Sequence, residues 1–511
     1  MRKLLLIVTI FTLCGYSQCR KNVLFLMADD LRPNIGAYNG PNSPSPVHPQ
    51  MHTPNIDALA SRSLLLKRAY VQVALCSPSR SSLLTGRRPD TTRVYDLDHY
   101  FRHTGNFTTL PQYFKNKGYR SIGMGKIFHP GHASGHDDPL SWSEPFFHGV
   151  RHFESNSHSW LAVPDANLVH TPLKDRQVAD HAIQKLKQVA PDAKSGRKNF
   201  FMAVGFHKPH LPFVFPKSIM DKYYPSNSIH LPPNPYAPRF MPDIAWINYG
   251  ELRNFADVAA LHASGNINTT LPDYKVVQLR RAYYSAITWM DSLVGEVIAE
   301  LENLGLSDNT VIVFASDHGY QLGEHGEWCK HTNFDIALHA PLMIRVPHRT
   351  DAGISTDQIV EFVDIFPTVV EAAGFSPISQ CHYRISPGTK LCHEGISLLP
   401  LIDNPNTPLK NAAFSQYYRH NRVMGYTMRT DKYRYTEWIN FDFKTNTRST
   451  PHWQQIQSAE LYDHTIDPEE NVNRANYKSY HDIRANLRTQ LHRGWLNAFV
   501  DPSHGSPQLI G

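Results

Sequence analysis

The chain has little cysteine, little net charge and no long apolar run, and each shortage excludes a class of protein. Six cysteines in 511 residues are too few to staple a disulfide scaffold, so stability has to come from a buried core. Lys and Arg number 51 against 45 Asp and Glu, a net +6 spread along the chain, which is too small and too even for a nucleic-acid binder. No apolar stretch reaches the ~20 residues that a membrane-spanning helix needs, which argues against stable membrane insertion. Internal repeats and low-complexity tracts are missing too, so the chain is neither a solenoid nor mainly disordered. What is present suits a globular fold: 41% hydrophobic and 11% aromatic residues can fill a large core, at a length that suggests two or three units. Histidine (29) and proline (37) are plentiful. The imidazoles suit metal binding or proton transfer and the prolines suit long ordered loops, but neither count identifies a reaction.

Residues 1–19 read as a secretory signal peptide. Arg2 and Lys3 precede an apolar run from Leu4 to Leu13, and small and polar residues follow around Gly15 to Ser17. Cleavage would remove two basic residues and no acid, leaving a still smaller basic excess. The sequons Asn106-Phe107-Thr108 and Asn268-Thr269-Thr270 make Asn106 and Asn268 candidate glycosylation sites on surface loops.

Three continuous apolar runs stand out: Asn22 to Ala28, Asn199 to Gly205 and Thr310 to Ala315. Runs without alternation are what strands buried on both faces look like. Between them lie amphipathic segments. One carries Tyr283, Ala286, Ile287, Met290, Leu293, Val294, Val297, Ile298, Leu301 and Leu304 at helical spacing, with Gly305 at a helix C-terminus. Another spans about Val178 to Val189. Helices alternating with buried strands predict an α/β fold with a mainly parallel central sheet covered on both faces, and ligands then bind beyond the C-terminal strand ends. After about Gly374 the pattern changes. Tyr426, Met428, Tyr433 and Tyr435 alternate around the turn Thr430-Asp431-Lys432, as in a hairpin. The expected division is 20–405 for a catalytic domain and 406–511 for a smaller subdomain with an antiparallel sheet.

Each apolar run ends in ionisable residues. Asp29-Asp30 and Asp317-His318 follow two of them, and parallel strands would bring all four side chains to one edge. Packed carboxylates repel, and a hard divalent cation such as Ca²⁺ or Mg²⁺ would relieve the repulsion; alternatively, each Asp caps the turn after its strand. The segment Cys76 to Gly86 reads as a short helix with Ser77 as N-cap, Pro78 at the first helical position, Gly86 as its stop and Cys76 just before its N-terminus. Cys76 then stands where a helix N-terminus and Arg80 would activate a thiolate or hold an anion, or it is a structural cysteine. Lys126 and His129, His207 and His210, and Lys330 lie in Gly- or Pro-marked loops. Singly each is an ordinary polar residue; together they would supply cations for an anionic substrate.

Cys76-x-Pro78-x-Arg80 followed by Leu84-Thr85-Gly86-Arg87 resembles the signature of the type I sulfatases. The resemblance runs through nearly all of the mature chain: the Asp29-Asp30 strand, Thr53-Pro54-Asn55-Ile56-Asp57, the signature, Gly125-Lys126, His207-Lys208-Pro209-His210 and Ser316-Asp317-His318-Gly319. Gly86 to Asp96, Gly125 to Gly131 and Leu322 to Trp328 narrow it to a glycosaminoglycan-degrading branch. The resemblance implies an alkaline-phosphatase-like fold and a lysosomal or secreted hydrolase that removes 2-O-sulfate from iduronate of heparan sulfate and dermatan sulfate. It also implies that a formylglycine-generating enzyme converts Cys76 to formylglycine, whose hydrate supplies the attacking hydroxyl and the hydroxyl that later releases sulfate. One Ca²⁺ would be held by Asp29, Asp30, Asp317, His318 and the modified Cys76. By the same resemblance Arg80 and Lys126 support the diol and sulfate, His129 transfers a proton there, and His210 with Lys330 binds the ester and stabilises the leaving alcohol.

Competing readings are a sulfatase of another carbohydrate specificity, a metal-dependent phosphomonoester or phosphonate hydrolase, and a sulfated-glycan binder with Cys76 unmodified. Cys381 and Cys392 are expected to form a short disulfide. Cys329, beside Lys330, fits no motif.

Overall fold

Asn22–Asp29 buries all eight of its side chains, and its neighbours in the sheet explain why. Among the described residues, seven strands form the central sheet: Asn22–Asp29 (β1), Leu64–Tyr70 (β2), Arg120–Gly125 (β3), Phe200–Pro209 (β4), Thr310–Ser316 (β5), Leu342–Arg345 (β6) and Ile354–Glu361 (β7), in spatial order β7-β2-β6-β5-β1-β4-β3. Adjacent strands run parallel except β6, which is antiparallel to both of its neighbours. The computed structural model describes residues 20–40, 47–381, 388–419, 422–442 and 453–500. The expected signal peptide, with Cys14 and Cys19, lies outside them.

Both faces of the sheet are covered by helices: Pro54–Ala60 (α1), Cys76–Thr85 (α2), Lys174–Lys194 (α3), Asp273–Asn303 (α4) and Ile365–Ala372 (α5). The period of two in β1 divides its side chains between two cores. Leu24, Leu26 and Ala28 join Val178 and Leu186 of α3 and Met290 and Val294 of α4. Val23, Phe25 and Met27 join Phe366, Val369 and Val370 of α5. The helix expected over 178–189 is longer at both ends, and α4 stops just before Gly305, whose φ of 62° is the left-handed conformation that ends many helices.

The C-terminal part is an antiparallel meander of Ala412–Arg419 (β8), Val423–Thr430 (β9), Tyr433–Asn440 (β10) and Ile456–Asp463 (β11). Across the β9–β10 hairpin Met428 faces Tyr435, both buried, and helix His481–Arg493 (α6) adds Leu487 and Leu491 to that core. Lys410, just before β8, places its buried ammonium 2.6 Å from both Glu361 and Asp364, tying the meander to the end of β7. Cys381 and Cys392 are disulfide-bonded. No helix among the described residues is long and apolar enough to cross a membrane.

Candidate active site

β4, β1 and β5 lie side by side and point the same way, so their C-terminal ends open at one edge. Asp29 ends β1, and Asp30 follows it with φ 64°, a setting that Asp tolerates better than most residues. The Asp30 amide donates to Asp317 Oδ1 at 3.0 Å, locking the two strand ends together. Cys76 arrives from α2. The helix begins at Cys76 with Leu75 as N-cap, not at Ser77 as the capping preference suggested. Pro78 is therefore the third helical residue and not the first; it is tolerated there because the first four N–H groups of a helix have no internal partner to lose. Gly86 stops α2 with φ 64°. As a result Asp30, Cys76, Asp317 and His318, all buried, offer four ligand atoms within 4.8 Å of one another. Two carboxylates and an imidazole around one point form a donor set that a divalent cation fits.

Asp29 stands beside this cluster, held by two cations. Arg80 is fully buried; its Nε donates to Asp317 Oδ2 at 2.9 Å and its Nη2 to Asp29 Oδ1 at 2.8 Å, while Nη1 donates to the carbonyls of Lys126 and Ile127. Lys126 Nζ reaches Asp29 Oδ2 at 2.5 Å and Cys76 Sγ at 3.5 Å. Burial acts to raise the Asp29 carboxyl, but Lys126 and Arg80 outweigh it and hold the group well below the carboxylate range. Burial also pushes the Cys76 thiol well up, and Asp29 adds to the rise against the pull of Lys126. Lys126 gets this close because β3 and β4 approach through glycines. A Cβ on Gly125, at φ 75°, would lie 1.9 Å from the Gly205 carbonyl oxygen, and one on Gly205 would lie 2.2 Å from that of Lys126.

Across the cluster sits a second group of charges. Lys330 Nζ donates to Asp30 at 2.8 Å and to Glu251 Oε1 at 2.8 Å. His210 Nε2 lies 3.4 Å from Glu251 and 3.9 Å from Asp30. Glu251 Oε2 meets His331 Nε2 at 2.9 Å, and His331 Nδ1 meets the Tyr417 hydroxyl at 2.9 Å. Burial opposes the charge on Glu251, yet Lys330 and His331 hold its carboxyl well below the ordinary range. Glu251, His331 and Tyr417 were not among the sequence candidates. The only signal was that His331 follows Lys330; Glu251 sits on a single helical turn, Gly250–Arg253, in a long irregular stretch. Cys329 and His331 flank Lys330 with φ of 72° and 78°, so the loop that presents the lysine is strained on both sides.

The remaining candidates separate. His129 is half-buried; burial first, then Lys126, lowers its imidazole to about 4. His207 turns to Asp175, with Nδ1 3.0 Å from the carboxylate, and burial lowers it to about 4, so neither His207 nor His129 adds a cation near neutral pH, contrary to the expectation that the loop residues together supply positive charge. Cys329 is buried and its sulfur takes the Tyr320 hydroxyl at 3.4 Å, a packing role. Asn106 and Asn268 are both exposed.

A family model described as "Sulfatase" matches residues 21–375, and one described as "N-sulphoglucosamine sulphohydrolase, C-terminal" matches residues 323–495. The iduronate 2-sulfatase of Mus musculus is 37% identical over 530 aligned residues, covering 91% of this chain and 93% of the relative. That of Homo sapiens is also 37% identical, over 89% of this chain and 91% of the relative. A solved structure of a protein in complex with its substrate D-glucosamine-2-N,6-O-disulfate superposes with a TM-score of 0.67 at 20% identity, over 93% of this chain and 97% of that one.

Proposed function

This chain belongs to the sulfatase family, and we propose that it hydrolyses the 2-O-sulfate of iduronate residues at the ends of heparan sulfate and dermatan sulfate. The observation that carries the chemistry is the surroundings of Cys76. Its sulfur lies 3.5 Å from Lys126 Nζ and His318 Nε2, 3.6 Å from Asp29 and 3.9 Å from Asp30. A thiol is a weak donor and acceptor in such a shell, whereas hydroxyls at that position would donate to the carboxylates and accept from the ammonium. The shell therefore suits an oxygen-bearing side chain made from Cys76. The sugar is argued from the 37% identity to iduronate 2-sulfatases over about nine-tenths of the chain.

Asp29, Asp30, Asp317, His318 and residue 76 would hold one Ca²⁺. When present, formylglycine and the ion supply a geminal-diol nucleophile and a Lewis acid for the sulfate oxygens. The chain's own residues do the rest. Arg80 fixes Asp29 and Asp317 relative to each other, so the carboxylates keep their places when charge moves. Lys126 stands where negative charge collects beside residue 76, and prearranged cations at such a point lower the barrier most. His129, unprotonated above about pH 4, accepts a proton next to Lys126. Lys330 and His210 present N–H groups to the leaving oxygen, and Glu251 orients both. The secretory signal and the acceptors Asn106 and Asn268 fit a lysosomal or secreted route, along which a formylglycine-generating enzyme would act. We divide the chain at 405/406, with Tyr417 reaching the site from the smaller part.

The mass of the peptide containing Cys76, from protein made in a competent secretory host, tests the chemistry; an unmodified thiol would sink it. Hydrolysis of a 2-sulfated iduronide tests the sugar, with an acidic optimum expected and a flat or alkaline profile counting against the lysosomal route. Chelation should abolish turnover and lower the melting temperature, with Ca²⁺ restoring both.

A further inference from the structure

Phe240 occupies a position that suits glycine. Met241 N donates to the Pro238 carbonyl at 3.1 Å, closing a four-residue turn, and Phe240 as its third residue has φ 62°. Glycine takes that conformation freely and an aromatic residue rarely does. Phe240 is 61% exposed, so packing does not repay the strain. The turn is nevertheless fixed from both sides. Arg239 N donates to the Asn471 carbonyl, Asn473 N to the Arg239 carbonyl and Asn473 Nδ2 to the Phe240 carbonyl, each at 2.9 Å. Met241 and Ala245 are buried with Phe334, Trp438 and Tyr462. A strained side chain, rigidly held and displayed to solvent, points to a task other than folding.

Its neighbours indicate the task. The half-exposed Tyr477 ring stands edge-on to Phe240 at 6.0 Å. The Arg239 guanidinium lies 5.2 Å from the Phe240 ring and that of Arg474 5.8 Å from the Tyr477 ring. The nearby carboxylate of Asp463 is engaged by Thr465 and Tyr480. Aromatic faces take the C–H faces of sugars, and guanidinium forks take sulfate and carboxylate groups. We propose that Phe240, Tyr477, Arg239 and Arg474 form a second glycan-binding platform, outside the catalytic site, for internal sugars of a sulfated glycosaminoglycan chain. The proposal rests on the substrate class argued above. Platform and site are mechanically joined: Arg419 donates to the carbonyls of Ile244 and Ala245 and to that of His331, and at most ~18 Å of chain separates Phe240 from Ala245.

The test compares wild type, Phe240→Gly and an Arg239→Ala/Arg474→Ala pair by calorimetric titration with a heparan sulfate oligosaccharide. The same proteins are assayed on the polymer and on a short 2-sulfated iduronide. Phe240→Gly is expected to keep or slightly raise the melting temperature, because glycine relieves the strain, and to leave kcat and KM on the short substrate unchanged. Polymer Kd and KM should rise five- to twentyfold in both variants, and the arginine pair should also flatten the salt dependence of binding. Polymer affinity within twofold of wild type in both variants would overturn the platform. So would a lowered melting temperature in Phe240→Gly, which would make the ring structural, or a loss of self-association, which would place a second copy on the patch. If the wild type hydrolyses no iduronide but Phe240→Gly still loses oligosaccharide binding, the platform stands and the iduronate reading falls.

Discussion

Glu251 is where the geometry makes its sharpest demand. Its two oxygens hold Lys330 at 2.8 Å and His331 at 2.9 Å, with His210 at 3.4 Å. Without that carboxylate Lys330 keeps only Asp30, also at 2.8 Å, and turns toward the strand end, away from the leaving oxygen. Charge-assisted hydrogen bonds contribute about 1.5–3 kcal/mol each. Taking the lower figure for the two that Glu251→Ala removes gives about 3 kcal/mol of lost restraint, or roughly 10²-fold in rate. Glu251→Gln keeps an acceptor for Lys330 without the charge, and since neutral bonds are about half as strong the loss should be roughly tenfold. The assay is steady-state kinetics on sulfate esters with a graded series of leaving alcohols. The loss should fall on kcat, grow as the leaving group worsens, and change KM little. Both variants within twofold of wild type, or a loss equal for every leaving group, would refute the positioning role.

Three further outcomes follow from other parts of the molecule. Glu324 Oε1 sits between Arg32 and Arg280 at 3.0 and 2.9 Å, all buried. Burial acts to raise its carboxyl, but the two guanidiniums dominate and hold it far below the usual range. A depressed folded-state value gives stability that is complete above the unfolded value of about 4.3 and is lost as pH falls toward the folded one. Glu324→Gln should therefore cost about 3–5 kcal/mol at neutral pH in denaturant titrations, with the gap to wild type narrowing below about pH 4; a gap independent of pH would contradict this. Gly205→Ala must push Lys126 away, since its Cβ would lie 2.2 Å from that residue's carbonyl oxygen. A displacement near 1 Å costs about 10²-fold in turnover, and unchanged kcat would remove the glycine contact from the account. Lys410→Met leaves Asp364 without its buried cation, while Glu361 keeps Arg88 at 2.6 Å, so hydrogen exchange should show β8–β11 losing protection first, at a cost of about 3–5 kcal/mol.

The parts legible in the sequence are those whose cause is local. A strand covered on both faces loses its alternation, so β1, β4 and β5 announce themselves as apolar runs, and the ionisable residues after them had to share the C-terminal edge once the strands proved parallel neighbours. The Cys76 segment was readable as a helix because Gly86 must stop it, although its start was misplaced: a first-turn proline does not say which first-turn position it fills. Gly125 and Gly205 were visible as residues but not as a contact, because nothing along the chain says that β3 and β4 approach within a Cβ of each other.

Glu251 shows the limit most plainly. It lies 79 residues before Lys330 in sequence, on one turn of helix with no periodic pattern, and Tyr417 comes from a different sheet. His207 went the other way: it stands in a motif beside His210, yet the N-terminal turn of α3 supplies Asp175 and draws it off. Which residues must be buried, and which chemistry they could support, is written in the order of side chains, because burial patterns and residue types are recorded along the chain. Which charges meet emerges from the folded chain alone, because an ion pair a few ångströms long depends on where distant segments cross, and no local period records that.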